Sequence, residues 1–276
     1  MLKGFDDNGG WIKGFLTRGK RRKEREKEAF DELNGKIDAL TEQLTQAQQS
    51  LATIRRAVNE TNWAHIFNST IAQSAWLKDK TFAPGRMAAG YPLLYVIYRV
   101  LNEMHPRNIL ELGLGQTTKM ISQYAAAYPE VKHTVVEQNS DWISFFSNDV
   151  TLPANSGIVR LDYEITPYRG ADVRVFKEFA ETFGKERYDC VIVDAPFGGD
   201  MVKYSRIDVL SLIPQSLSER FVILIDDTHR PGENATASRV KQLLREQQIE
   251  FKSRKYSGEK DSTIICDAQD AYLASL

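Results

Sequence analysis

The sequence predicts an α/β fold, a parallel sheet covered by helices on both faces, preceded by a long helix that stands apart from it. Three observations predict this. Five short, mainly apolar runs, at 109–112, 133–136, 158–161, 190–193 and 221–225, read as strands of a sheet covered on both faces. Longer stretches with helical spacing, such as 118–127 and 205–217, separate them. Upstream, residues 30–58 carry apolar residues in unbroken steps of three and four.

The chain has 276 residues and a net charge of −1, so no global field announces a nucleic-acid partner. The first 28 residues are an exception, with nine Lys/Arg against five Asp/Glu and a peak at Arg18-Gly-Lys-Arg-Arg-Lys23. On a helix, Trp11, Ile12, Phe15 and Leu16 fall on one side. An aromatic face beside cations fits an anionic membrane surface. The alternative is a solvated tail, for which Gly4, Gly9, Gly10, Gly14 and Gly19 speak. One short basic cluster makes no case for RNA. No run of ~18 apolar residues could span a bilayer, and no apolar secretory core follows the start. Cys190 and Cys266, each inside an apolar run, read as reduced core thiols. The expected location is the cytoplasm, at most peripheral at the inner face of the membrane.

Residues 29–68 form the second predicted segment. Phe30, Ile37, Leu44, Leu51 and Val58 occupy heptad position a, and Leu33, Leu40, Ala47 and Ile54 occupy d. Two apolar positions in seven make a stripe too narrow for an ordinary globular helix, and the expected partner is a second copy of the chain in a coiled coil.

Residues 69–276 form the third. Phe82-Ala-Pro-Gly-Arg-Met-Ala-Ala-Gly-Tyr91 reads as a hinged, lid-like connection. An amphipathic helix follows at Leu93–Met104, and then the five strands. After the fifth, Ala235–Gln248 reads as a helix. Glu250–Tyr256 and Ser262–Cys266, with a turn at Ser257-Gly-Glu-Lys, read as an antiparallel pair.

The first strand runs into a glycine corner, Asn108-Ile-Leu-Glu-Leu-Gly-Leu-Gly-Gln-Thr-Thr-Lys119. Glycines at the carboxyl end of a sheet strand point to a ligand above the sheet. The dinucleotide fingerprint needs a third glycine where Thr118 stands, and no Gly-Lys-Ser/Thr of a P-loop follows. What remains, Glu-x-Gly-x-Gly after a strand, resembles motif I of class I S-adenosylmethionine-dependent methyltransferases. The resemblance covers roughly residues 85–276, whose order of elements matches that Rossmann-like sheet and its terminal antiparallel pair. It implies S-adenosylmethionine as cofactor. Gly113, Gly115 and Thr117 would then shape the turn, Glu111 would hold the ammonium and Glu137, ending strand two, the ribose. Asp162 would sit near the adenine amine.

Strand four ends in Asp194-Ala-Pro-Phe-Gly-Gly199 and strand five in Asp226-Asp-Thr-His-Arg-Pro-Gly-Glu233. Adjacent strand ends would bring Asp194, Asp226, Asp227 and His229 to one crevice. By similarity to catechol O-methyltransferase, Asp194, Asp226 and Asp227 would hold Mg²⁺ and lower the pKa of a hydroxyl. Without metal, His229 or Asp194 would remove its proton, and Asp227 would handle the acceptor beside them. The same segments resemble glucuronoxylan 4-O-methyltransferase-like enzymes, with the acid and imidazole in swapped order. That implies an O-methyltransferase acting on a saccharide or surface polysaccharide precursor, with Arg206 and Arg230 pairing an acidic group on the acceptor. Two rival readings remain. Asp194-Ala-Pro-Phe197 is one residue from the Asp-Pro-Pro-Phe/Tyr signature of amino-methyltransferases, although the basic face that a nucleic-acid acceptor needs is lacking. The other is a non-catalytic scaffold whose working part is the coiled coil.

Overall fold

A computed structural model describes the backbone at residues 8–85 and 87–276 and side chains from residue 20 on. The Trp11, Ile12, Phe15 and Leu16 side chains, on which the membrane-surface expectation rests, lie outside the described residues. The chain divides into two compact units, Met1–Arg55 and Arg56–Leu276. The sheet-bearing unit therefore starts at Arg56, ahead of residue 69, where the sequence places it. No helix among the described residues is long and apolar enough to cross a membrane.

One helix, α1 (Asn8–Ile71), contributes to both units. It passes residue 28 without a break, and Phe30, Leu33, Ile37, Leu40, Leu44, Leu51, Ile54 and Val58 are all exposed on it. From Arg56 on, its side chains belong to the second unit. Trp63 donates from Nε1 to the Ser257 carbonyl (3.1 Å), and Phe67 and Ile71 are buried in the core.

In the second unit, α2 (Tyr91–Arg99) carries Pro92 in its first turn, where proline suits a helix start, and widens into a π turn over Val100–Met104. The sheet elements follow: β1 (Asn108–Leu112), α3 (Gln116–Ala127), β2 (Lys132–Glu137), α4 (Ser140–Asp149) and β3 (Ser156–Arg160). A hairpin of β4 (Tyr163–Tyr168) and β5 (Ala171–Phe176) forms a separate two-stranded sheet. Its turn, Arg169-Gly170, has both φ values positive, as a two-residue hairpin requires. The apolar-run signal does not announce this hairpin, because its exposed strands carry Glu164, Asp172 and Arg174. After it come α5 (Phe179–Phe183), β6 (Tyr188–Val193), β7 (Leu217–Ile225), α6 (Pro231–Glu246), β8 (Phe251–Ser257) and β9 (Asp261–Asp267). The helix expected over 205–217 is one 3₁₀ turn, Ile207–Leu212.

The seven-stranded sheet has the order β3-β2-β1-β6-β7-β9-β8. The first five strands are parallel, and β9 runs antiparallel to both its neighbours. Strand alternation sorts the core into two layers. Ile109, Cys190, Ile192, Val222, Leu224 and Ile264 face α2, α3 and the end of α1, whereas Leu110, Leu112, Val191, Val193, Ile223 and Ile225 face α5 and α6. From β1 the chain winds outward to β3, then returns to place β6 on the other side of β1. That switch point lies at the carboxyl ends of β1 and β6, where doubly wound sheets bind ligands.

Both cysteines are free and buried, and burial raises their thiols, Cys266 to about 12 and Cys190 further. A chromogenic disulfide reagent should therefore leave the native protein untouched at neutral pH and titrate two thiols once denaturant is added.

Candidate functional site

A cavity of about 730 Å³ opens above the carboxyl ends of β1, β2, β6 and β7. One end is built by the glycine corner. Gly113 has φ +106°, a left-handed conformation that side chains rarely adopt, and a Cβ there would lie 3.3 Å from the Asp194 carbonyl carbon. Gly115 is extended, with open space where a side chain would stand, so a ligand can reach its backbone. Across the corner, Glu137 accepts from the Leu114 amide (3.2 Å) and from those of Gln138 and Asn139 (2.9 Å each) while lining the cavity. Beside it Gln138 buries Oε1 with no partner, an acceptor without a donor. Trp142 and Phe145 of α4 stack at 5.4 Å between ring centroids on the same wall, and Trp142 Nε1 donates to the Leu114 carbonyl (2.8 Å).

The segment 82–91 forms another wall. Ala83 N donates to Gln116 Oε1 (3.0 Å), Tyr91 N to Glu60 Oε1 (2.6 Å), and Ala83, Gly85, Met87, Ala88 and Ala89 line the cavity.

The far end is a charged cluster. Oxygens of Asp194, at the end of β6, and of Asp226 and Asp227, after β7, lie within 4.8 Å of one another. Among them sits the Arg206 guanidinium, only 3% exposed, at 3.0 Å from Asp194 Oδ1, 3.0 Å from Asp227 Oδ2 and 4.0 Å from Glu233 Oε1. Arg230 Nη1 reaches Asp227 Oδ2 at 3.0 Å, and Lys260 Nζ stands 3.5 Å from Asp227 Oδ1 and 3.8 Å from Asp226 Oδ2. Asp227 has φ +59°, a backbone state uncommon outside glycine that here turns its carboxylate toward Arg206.

Environment sets these acids apart. Burial, against the pull of Arg206, pushes Asp194 up to about 7, with Asp226 and Asp227 adding repulsion. Asp226 is raised by burial and by Asp227. For Asp227 burial is outweighed by Arg206, Lys260 and Arg230, which hold it below the usual carboxylate range. Asp194 is also the most open, its side chain 21% exposed against 3% or less for Asp226, Asp227 and Glu233.

The structure thus brings Gly113, Gly115, Thr117, Glu137, Asp194, Asp227, Arg206 and Arg230 to the cavity wall. Other residues read from the sequence sit elsewhere. Glu111 is fully buried on the α3 side of β1, one residue out of phase with Leu112. Its oxygens accept from His133 Nε2 (2.9 Å) and the Thr117 hydroxyl, and it does not line the cavity, so it stands as a structural acid out of reach of a ligand's ammonium. Asp162 lies exposed outside the cavity, paired with Arg160 at 2.7 Å, because β3 ends before it. His229 is exposed in the turn after β7, where Nδ1 accepts from the Asp261 amide at 3.4 Å, and it does not line the cavity. Asp226 is sealed beneath Asp227, its Oδ1 accepting from the Ser262 hydroxyl (2.6 Å). Arg206, bound up in carboxylates, is not free for an acceptor. The sequence reading missed Lys260, Gln138 and Trp142. Lys260 sits in the turn between β8 and β9, and nothing local marks a lysine of a hairpin turn as part of a site.

No family model matches the chain, and no curated protein matches it in sequence. Among solved structures, the O-methyltransferase TomG from Streptomyces achromogenes, in complex with SAM, is similar over 75% of this chain and 98% of its own, at 12% identity and a TM-score of 0.47. An O-methyltransferase from Bacillus cereus, in complex with SAH, is similar over 77% and 91%, at 11% and 0.42. Precorrin-6y C5,15-methyltransferase from Geobacter metallireducens is similar over 68% and 95%, at 13% and 0.44. The sheet order, with one antiparallel strand seated between the fifth and the outermost, gives this chain the class I methyltransferase fold.

Replacing Arg206 with Met takes the paired cation from Asp194 and leaves Asp227 and Glu233 only Arg230 and Lys260 in a buried site. Unfolding by urea should then show a loss of about 3–5 kcal/mol.

Proposed function

We propose that this chain is an S-adenosylmethionine-dependent O-methyltransferase, and that its acceptor is a polyhydroxyl compound such as a saccharide or a surface polysaccharide precursor. The observation that carries the reading is Glu137. It is a carboxylate fixed by three backbone amides at the end of β2, facing the cavity beside a glycine corner too open to hold anything by side chains. Two carboxylate oxygens suit the paired hydroxyls of a ribose. Gln138 Oε1, buried without a donor in the same wall, suits an exocyclic amine, and Trp142 and Phe145 offer apolar surface to a base.

The bound cofactor would supply an electrophilic methyl group on a sulfonium. The rest falls to side chains on this chain. Asp194 is the one acid of the cluster that is both open to the cavity and raised to about 7, which makes it the proton acceptor. Transfer of that methyl group to the acceptor oxygen would release the cofactor as its thioether, and Asp194 would take the hydroxyl proton. Arg230, 27% exposed at the cavity wall, is the guanidinium left to meet a carboxylate or other acid group on the acceptor. Phe197, half exposed beside Arg174, widens the acceptor end toward the β4–β5 hairpin. The residues do not fit a bound Mg²⁺, since Arg206 and Lys260 already stand among the three aspartates, and no step is assigned to one.

Calorimetry with S-adenosylhomocysteine tests the reading. Wild type should bind it, and Glu137→Ala should weaken binding roughly tenfold or more, because a charged hydrogen-bonding group is lost. Equal affinity in the two proteins would remove the ribose assignment, and silence in the wild type would favour the scaffold.

The exposed heptad stripe from Phe30 to Val58 supports pairing with a second copy of the chain, since its apolar a and d residues stand exposed among the described residues. Sedimentation should show an oligomer for wild type. Leu44→Lys with Leu51→Lys should give a monomer with the same thermal unfolding of the sheet-bearing unit.

A further inference from the structure

We infer that the Asp194–Asp226–Asp227 cluster, which has the donor set of a divalent-cation site, is instead the seat of the Lys260 ammonium, so that the site works without a metal. The inference concerns the acceptor end of the reaction proposed above and rests on that reading only for its catalytic meaning.

The oxygens of the cluster can be followed one by one. Asp194 Oδ1 faces Arg206 at 3.0 Å. Asp227 Oδ2 faces Arg206 and Arg230, each at 3.0 Å. Asp226 Oδ1 accepts from Ser262. Of the three oxygens that remain, two, Asp226 Oδ2 and Asp227 Oδ1, are buried and without a hydrogen-bond partner among the described residues. Such orphaned acceptors, on carboxylates this enclosed, call for a cation. Lys260 Nζ supplies it from 3.8 and 3.5 Å, and the same nitrogen donates to the Ala88 carbonyl at 2.9 Å. A Mg²⁺ bound to those two oxygens at about 2.1 Å would occupy the ground Lys260 holds, with Arg206 repelling it from the other side.

The ammonium is held there by structure on its far side. The turn that carries Lys260 is fastened to the last turns of α1. Glu60 Oε2 accepts from Glu259 N (2.9 Å), Arg56 Nη1 donates to the Glu259 carbonyl (3.1 Å) and meets Asp261 Oδ1 at 3.2 Å, and Trp63 binds the Ser257 carbonyl. Lys260 is 12% exposed and lines the cavity. Its three N–H groups are directed to the Ala88 carbonyl and the two aspartate oxygens, so it would act on an acceptor oxygen through its charge. It can therefore do what a metal would do there, favouring the negative charge that develops as the proton leaves.

The test is an Mn²⁺ titration of the full chain followed by electron paramagnetic resonance, run on wild type, Lys260→Met and Lys260→Arg, with S-adenosylhomocysteine calorimetry on each. Wild type and K260R should leave Mn²⁺ free, and K260M should bind it, with Asp226→Asn in the K260M background abolishing that binding. S-adenosylhomocysteine bound by K260M certifies a folded cavity, and K260Q replaces it if it does not fold. Stoichiometric Mn²⁺ on wild type that Asp227→Asn removes would overturn the inference, as would a folded K260M that still refuses the ion. A wild type that binds no S-adenosylhomocysteine would sink the methyltransferase reading and leave the Mn²⁺ result to stand by itself.

Discussion

The buried guanidinium of Arg206 is the interaction on which the site depends. Four carboxylates, Asp194, Asp226, Asp227 and Glu233, converge below the cavity floor, three of them almost fully enclosed. In a low-dielectric pocket such a group would repel itself apart or take up protons. Arg206 prevents this by reaching Asp194 on β6 and Asp227 after β7 at once, with its Nε also directed to the Pro196 carbonyl (3.3 Å). It thereby ties two adjacent strand ends together and fixes which acid faces the ligand. Because Asp227 is held low and Asp226 is sealed, Asp194 is the acid of the cluster left for the proton acceptance proposed above.

Much of this was legible in the sequence, and the limits have physical causes. Four of the five parallel strands announce themselves because both of their faces are largely buried, while β3 at the sheet edge is only partly covered. The glycine corner is legible because only glycine sits at φ +106° against Asp194. Glu137 is legible as the acid closing β2. Glu111 misleads because its spacing from Gly113 fits a motif, whereas the alternation of β1 turns it inward to meet His133. His229 misleads because adjacency in sequence to Asp227 is not adjacency in space: the backbone of Asp227 reverses direction, and the imidazole is left outside. Arg206 reads as a ligand-binding cation until its burial is known. Lys260 lies 33 residues beyond Asp227 in sequence, and only the β7–β9 pairing brings it alongside.

The division of labour between the layers is uneven. The face covered by α5 and α6 is a plain apolar core, while the face covered by α2 and α3 also carries the last turns of α1 and the wall segment 82–91. Glu60 is the junction on that side. One of its oxygens takes the amide that opens α2 and the other takes the amide beside Lys260. The helix bearing the heptad stripe thus ends as part of the frame that holds the cavity, so removing it would take Phe67 and Ile71 out of the core and slacken two of the cavity's walls.

Gly258 shows what this framing imposes. It sits in a hairpin turn, where substitutions are usually absorbed, yet a methyl group there would stand 2.0 Å from Glu60 Oε2 and 2.9 Å from Pro92 Cγ. Even alanine at this position would wedge the turn away from its helix and carry the neighbouring ammonium out of register with the aspartates. A scan of tolerated changes along the chain would score this bend as it scores the interior of a strand, and an engineer choosing loops for insertion or graft should pass it by.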